Sequence, residues 1–312
     1  MTDSAQNAPQ DAIADAYTGN WVDHRAPAAL RPYFRLSRLD RPIGTWLLLL
    51  PCWWGLALAT IETGPRLEDL WIAIGCGLGA ILMRGAGCTW NDITDRKIDG
   101  SVTRTARRPI PSGAVSVFQA LLWMAAQCAL ALLILVTFDR AAILLGLFSM
   151  APVVIYPFAK RFTWWPQVFL GIAFNWGALL AYAAHKGSLG WPAILLYLAG
   201  ICWTLFYDTI YAHQDAEDDA LIGVKSTARL FGEDSPKWLA DFGTGAVLLM
   251  AAAILAAGEP IALIAPIGFA VHLIWQWRVL DIHDGDICLK LFRSNRDAGL
   301  IAAGLLALIA LF

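Results

Sequence analysis

Residues 69–99 read DLWIAIGCGLGAILMRGAGCTWNDITDRKID. Through Trp90 the run is largely apolar, and about 20 such residues are what a helix needs to cross a bilayer. The acidic run Asn91-Asp92-Ile93-Thr94-Asp95-Arg96-Lys97-Ile98-Asp99 begins where the apolar run stops. A second stretch has the same form. Residues 190–211 are apolar, and a carboxylate-rich sequence runs from Asp208 through Asp215 to Asp219. Carboxylates beside lipid are costly and persist where something compensates them.

The rest of the chain agrees with a membrane setting. Of 312 residues, 58% are hydrophobic and 15% charged, and the mean hydropathy is +0.56. Soluble domains are usually about 45–50% apolar and about 25% charged. Candidate spans fall at 43–62, 69–90, 116–137, 140–157, 165–184, 190–211, 238–257, 260–279 and 298–312. Each is expected to be a helix, because an open sheet edge has no hydrogen-bond partner in hydrocarbon. The expected fold is therefore an all-α integral membrane protein with nine transmembrane helices, over residues 33–312. Residues 1–32 read as a disordered polar tail. They lack the apolar core of a secretory signal, and acidic residues at 3, 11, 15 and 23 argue against a mitochondrial presequence.

Basic residues set the expected orientation. Nineteen of the 23 Lys and Arg fall in the N-terminal segment and in the loops after the even-numbered spans. The N-terminus and both acidic clusters then lie on the cytoplasmic side, and a bacterial inner membrane is the expected location. The six Cys are scattered without metal or disulfide spacing. The net charge of −2 singles out no partner, and no nucleic-acid partner is expected. Gly75, Gly77 and Gly79 read as a site of close helix packing.

If the first cluster continues its helix, Asn91, Asp95 and Asp99 share one face at i, i+4, i+8, with Asp92 about 100° away. Asp208, Asp215 and Asp219, at i, i+7, i+11, form a second stripe that includes Tyr211. Like charges at this spacing repel, and a divalent cation removes the conflict. Magnesium suits such a set, since it takes a few carboxylates together with phosphate oxygens and water. Arg104 and Arg108 follow the first cluster and Lys225 the second, types that bind phosphate oxygens. The competing reading is a solvated acidic face paired with Arg96, Lys97 and Lys225.

These sequences resemble the UbiA prenyltransferases. The match comprises Asn-Asp-x-x-Asp-x-x-x-Asp-Gly at 91–100, Thr-Arg-Thr-Ala-x-Arg-Pro-x-Pro-Ser-Gly at 103–113, Asp-Thr-x-Tyr-Ala-x-x-Asp-x-x-Asp-Asp at 208–219 and Ile-Gly-Val-Lys-Ser-Thr-Ala at 222–228. Arg38-Leu-Asp-Arg-Pro-Ile-Gly, Tyr156-Pro-x-x-Lys160-Arg and the run from Phe292 to Leu300 extend it. The resemblance implies nine helices around a central cavity in membrane lipid. It implies magnesium held by Asn91, Asp95, Asp99, Asp215 and Asp219, with Asp95, Asp215 and Asp208 as catalytic carboxylates. It adds Tyr156 and Lys160 near the diphosphate. Asp208 then lies near an aromatic acceptor, and Arg38 or Arg41 takes the acceptor's carboxylate. The nearest subgroup transfers a polyprenyl group from polyprenyl diphosphate to 4-hydroxybenzoate in ubiquinone synthesis. Homogentisate and naphthoate remain alternative acceptors. A CDP-alcohol phosphotransferase would need its carboxylates in one compact run, and a cation transporter would need broken helices at the midplane.

Overall fold

The computed structural model describes residues 19–100, 105–216, 220 and 223–311, without the side chains of Ile98 and Asp215. Among the described residues the secondary structure is helical throughout. In chain order the helices are α1 (Trp21–Arg25), α2 (Arg31–Leu36), α3 (Ile43–Thr63), α4 (Glu68–Asp99), α5 (Val117–Leu135), α6 (Arg140–Phe148) and α7 (Met150–Phe162). They continue as α8 (Pro166–Lys186), α9 (Trp191–Ala212), α10 (Thr227–Phe231), α11 (Ser235–Ala256), α12 (Ile264–Val279) and α13 (Gly285–Ala310).

Eight stretches among the described residues are long and apolar enough to cross a membrane, and they coincide with the first eight expected spans. The chain is a multi-pass membrane protein. The ninth expected span, 298–312, falls in the second half of α13, a helix that begins with the charged residues of 286–297. The break before Arg140 is real. Asp139 caps α6, its side chain accepting the Ala141 N–H at 2.8 Å. Helix α8 starts with Pro166 at its first position and stops at Gly187, whose φ of 75° is the left-handed geometry that suits glycine.

The chain divides into two compact units. The first takes residues up to Thr45 and Leu78–Ile134. Its start departs from the expected tail. From residue 19 onward the chain is ordered: Val22 is fully buried, and Asp23 pairs with Arg35 at 2.9 Å. A buried ion pair with an apolar neighbour outweighs the polar composition that suggested disorder. Lower in this unit, Trp123 Nε1 donates to Ser37 Oγ at 2.8 Å, and Ser37 Oγ donates to Gln127 Oε1 at 3.1 Å. The same Gln127 lies against Gly85, leaving no room there for a Cβ.

The second unit takes Trp46–Gly77 and residues from Leu135 on. Helix α9 is its axis, packed between α8 and α11 and also against α13. Trp54, Trp203 and Phe269 form its aromatic centre, with Trp54 and Trp203 4.8 Å apart. Their polar edges are satisfied: Trp54 Nε1 donates to the Gly299 carbonyl and Trp203 Nε1 to Asn295 Oδ1. Asn175 of α8 donates to Thr204 of α9 at 2.8 Å, an interhelical bond of the kind that holds membrane helices together. At the other end of α8, His185 lies between Asp69 (2.5 Å) and Thr63 (2.7 Å), and Lys186 and Tyr182 both reach Glu62. This cluster fastens the α3–α4 connection to the end of α8.

Close helix approach falls at Gly55 and not at Gly77 or Gly79. A Cβ at Gly77 or Gly79 would meet open space. At Gly55 it would strike the Ala178 carbonyl, so α3 and α8 touch backbone to backbone there. Gly55→Ala is expected to destabilise the detergent-solubilised protein by about 1–3 kcal/mol, the usual cost of overpacking against a part that cannot yield. Gly79→Ala is expected to leave the melting temperature unchanged or raised, since alanine is the better helix former. Equal melting temperatures for both variants would contradict the backbone contact.

Candidate active site

In the first unit the acidic run is helical as expected, because α4 continues to Asp99. Its carboxylates point inward. Asp92 is 0% exposed, Asp95 1% and Asp99 6%, whereas Arg96 and Lys97 are exposed on the other side. Arg96 donates to the Ile93 carbonyl. A solvated acidic face paired with Arg96 and Lys97 does not fit this placement. Asn91 is half-buried at the head of the run.

The cations that meet the stripe come from elsewhere in the unit. Arg108 Nη1 donates to Asp99 Oδ2 at 2.8 Å and lies 3.5 Å from Asp92 Oδ1. Arg38 Nη2 donates to the same Asp92 oxygen at 2.6 Å, and its Nη1 donates to the Arg35 carbonyl. Arg38 is the one non-glycine among the described residues with positive φ, at 58°. That region is sparsely populated for a long side chain and persists where the surroundings hold it. Asp40 and Arg41 form a neighbouring pair at 3.2 Å. Arg84 lies over Gly44, where a Cβ would come 2.5 Å from its Nε.

Local packing explains how Arg108 reaches α4. Leu36, Ile93, Ile110, Val115 and Ala120 make a small buried core with Tyr33, Val117 and Trp123 around it. It clamps the connection after α4 onto α2 and α4. Thr105 Oγ1 donates to the Asp99 carbonyl, Arg108 N–H to the Thr105 carbonyl and Val115 N–H to the Pro109 carbonyl. Arg104 lies outside the described residues.

Electrostatics in this stripe oppose charge. Burial pushes the Asp99 carboxyl above its ordinary range, Arg108 pulls it down, and Asp92 and Asp95 push it up again. Arg108 therefore does not fully compensate the Asp99 charge. An amide oxygen and carboxylates form the hard oxygen set that magnesium takes, and this cation needs only one or two protein carboxylates beside phosphate and water. Among the described residues no three His, Cys, Asp or Glu side chains are arranged to hold a metal by themselves. The donor chemistry thus fits magnesium shared with a phosphorylated ligand.

In the second unit, α9 carries Asp208 half-buried near its end, with Tyr211 one turn on. Helix α9 ends at Ala212, and His213–Asp215 is a 3₁₀ turn. The side chain of Asp215 and all of Asp219 lie outside the described residues, and so does the expected stripe through them. The pKa of His213 is lowered to about 4, by burial first and then by His283, with Glu233 opposing. The ring is neutral at pH 7 and bonds Ser235 Oγ at 2.9 Å.

Three of the expected phosphate-binding residues are near neighbours in this unit. Tyr156 and Lys160 sit one turn apart on α7, and the Lys225 N–H donates to the Lys160 carbonyl at 3.2 Å. The Lys225 ammonium lies over Trp164, 5.8 Å from the ring centre, and Arg229 faces the same ring at 5.4 Å. Buried Thr209 and Thr227, 2.7 Å apart, hold α10 to α9, and Gln167 accepts the Thr227 N–H.

Asp92 is the residue whose part sequence reading missed. It was measured against Asn91, from which it diverges. Measured against Asp99, seven residues on, it is only about 20° away on the wheel.

Comparison with known proteins adds lineage to this geometry. Residues 48–305 match the UbiA prenyltransferase family. Over 286 residues, 90% of this chain and 75% of the relative, the sequence is 48% identical to the mitochondrial 4-hydroxybenzoate polyprenyltransferase of Mus musculus. The apo structure of a UbiA homolog from Aeropyrum pernix K1 superimposes with a TM-score of 0.70 at 26% identity, covering 84% of this chain and 97% of that one. A UbiA homolog from Archaeoglobus fulgidus bound to GPP and Mg2+ gives 0.62 at 22% identity, over 90% and 99%, a likeness of fold.

The clamp on Arg108 is testable without substrate. Ile110→Ala is expected to cost about 2–5 kcal/mol, as for other truncated core side chains. It should speed tryptic cleavage after Arg107, measured by mass spectrometry of the digest. Unchanged cleavage kinetics would separate Arg108 from that small core.

Proposed function

Since this chain belongs to the UbiA prenyltransferase family, we propose that it transfers a polyprenyl group from polyprenyl diphosphate to the ring carbon ortho to the hydroxyl of 4-hydroxybenzoate. The products are 3-polyprenyl-4-hydroxybenzoate and diphosphate, a step of ubiquinone synthesis. The observation that carries the reading is the 48% identity over 90% of the chain, a stretch long enough to span both acidic sequences. Buried carboxylates with an incompletely compensated charge support it independently.

In this reading Asn91, Asp95 and Asp99, and also Asp215 and Asp219, hold magnesium. When bound, the cation offsets negative charge on the diphosphate oxygens. Arg104, Arg108, Tyr156, Lys160 and Lys225 bind the diphosphate, and charge growing on the leaving group as the allylic C–O bond breaks is met by their donors. The ring of 4-hydroxybenzoate then attacks the allyl cation, and loss of the ring proton restores aromaticity. Asp208 orients or deprotonates the phenol, and Arg38 takes the carboxylate. An Arg fork has five N–H donors, so one carboxylate can orient it while others face a ligand. Dry surroundings protect the cation from water.

For location we propose a bacterial inner membrane with the basic loops on the cytoplasmic side. The skew of Lys and Arg supports that orientation. The compartment is the finer part of the proposal, because the mouse relative is described as mitochondrial.

Membranes carrying the protein are expected to attach prenyl groups to radiolabelled 4-hydroxybenzoate with magnesium, and to stop with EDTA. Asp95→Ala should abolish product. Product from homogentisate or a naphthoate, with none from 4-hydroxybenzoate, would move the acceptor while keeping the reaction. Asp208→Asn is expected to lower kcat at least about tenfold, in the range of general acid–base effects. Full turnover by that variant would remove Asp208 from the phenol.

A further inference from the structure

Asp92 is fully buried, and its Oδ2 and the Arg108 Nε have no hydrogen-bond partner among the described residues. A whole buried ion pair is often replaced by apolar side chains without loss, but removing one partner leaves the other charge buried and costs stability. Beyond that, what Asp92 does is geometric. One oxygen holds Arg38 at 2.6 Å and lies 3.5 Å from Arg108. Arg38 keeps a left-handed backbone at this contact. Arg108 has a second carboxylate, Asp99 at 2.8 Å. Any cation that engages Asp99 competes with the guanidinium there. Asp92, deeper in the unit, is then the carboxylate that still retains Arg108.

We propose that Asp92 is a positioning residue, not a metal ligand: it holds the Arg108 guanidinium where it meets the diphosphate, and fixes Arg38 beside it. This rests on the phosphate-binding part assigned to Arg108 above. Asp99 hands the guanidinium over when it takes a cation, and Asp92 does not.

The test compares full-length wild type, Asp92→Asn, Arg108→Gln and the double variant in nanodiscs. Binding of inorganic diphosphate at saturating magnesium is read by calorimetry and by thermal shift. The magnesium dependence of the shift and KM and kcat for polyprenyl diphosphate are read alongside. Asp92→Asn is expected to lower the ligand-free melting temperature, since buried Arg38 loses its counter-charge, to weaken diphosphate binding about tenfold, and to add little to that loss of binding once Arg108 is Gln, the mark of two residues acting as one. KM should rise more than kcat falls, and the magnesium midpoint should stay put. Wild-type diphosphate affinity in Asp92→Asn, or losses that add in the double variant, overturn the proposal. So does a large rise in the magnesium midpoint, which would make Asp92 a ligand. If Asp92→Asn does not fold, Arg108→Lys decides: it keeps the charge but not the fork that Asp92 and Asp99 share. A similar loss of diphosphate affinity supports the proposal, and wild-type affinity overturns it. Wild-type transfer to 4-hydroxybenzoate, run on the same preparation, tests the reaction separately, because diphosphate binding does not depend on the acceptor.

Discussion

Three carboxylates on one membrane helix, each less than a tenth exposed, are what the rest of the first unit is arranged around. Taking such charges from water costs several kcal/mol apiece unless they are paired. The pairing comes from two arginines distant in sequence, one before α3 and one after α4. Each is brought in by its own device. Arg38 arrives through a left-handed backbone step after α2. Arg108 arrives on a connection pinned by a small apolar core and by Thr105 on the Asp99 carbonyl. Apolar packing thus sets the electrostatics, since the loop cannot move without unpacking Ile110.

Compensation that stops short of neutrality is what a binding site needs. If the arginines satisfied every carboxylate, a cation would have nothing to gain there. Asp99 instead stays biased toward holding its proton, pushed by burial and by its neighbours against the pull of Arg108. In the proposed reading, a divalent cation arriving with a diphosphate would relieve that repulsion and add oxygen ligands at once. In the second unit, Lys225 and Lys160 are joined through the backbone, and the Lys225 ammonium lies over the Trp164 ring and against the Phe162 carbonyl.

Several features were legible in the residues because they follow from local rules. Span length and hydropathy predicted eight helices that the structure contains, and the break at Asp139 is a cap with a side-chain acceptor. The i, i+4, i+8 spacing of Asn91, Asp95 and Asp99 puts them on one face once the helix continues to Asp99, as it does. Less legible were features that local patterns misrepresent. Gly77 and Gly79 look like a packing motif but face open space, while Gly55 meets a backbone carbonyl that no pattern around it announces. Residues 19–32 look like a polar tail, yet the segment carries a helix with Val22 buried and Asp23 paired with Arg35. Past Asp208 and Tyr211 the α-helix gives way to a 3₁₀ turn at His213–Asp215, which the residue spacing does not announce.

The amino-acid sequence by itself determined that this is a helical membrane protein and where eight of its spans lie. It also carried the family, because long paired motifs are specific at the level of residue order. Only the tertiary structure decided which charges meet. Asp92 reads as an off-face residue until Arg38, 54 positions away, is seen 2.6 Å from it. Periodicity reports the face of a helix on which a side chain lies, and it has no term for the partner that another segment brings to that face. That partner depends on how distant apolar side chains pack, which is a property of the folded chain.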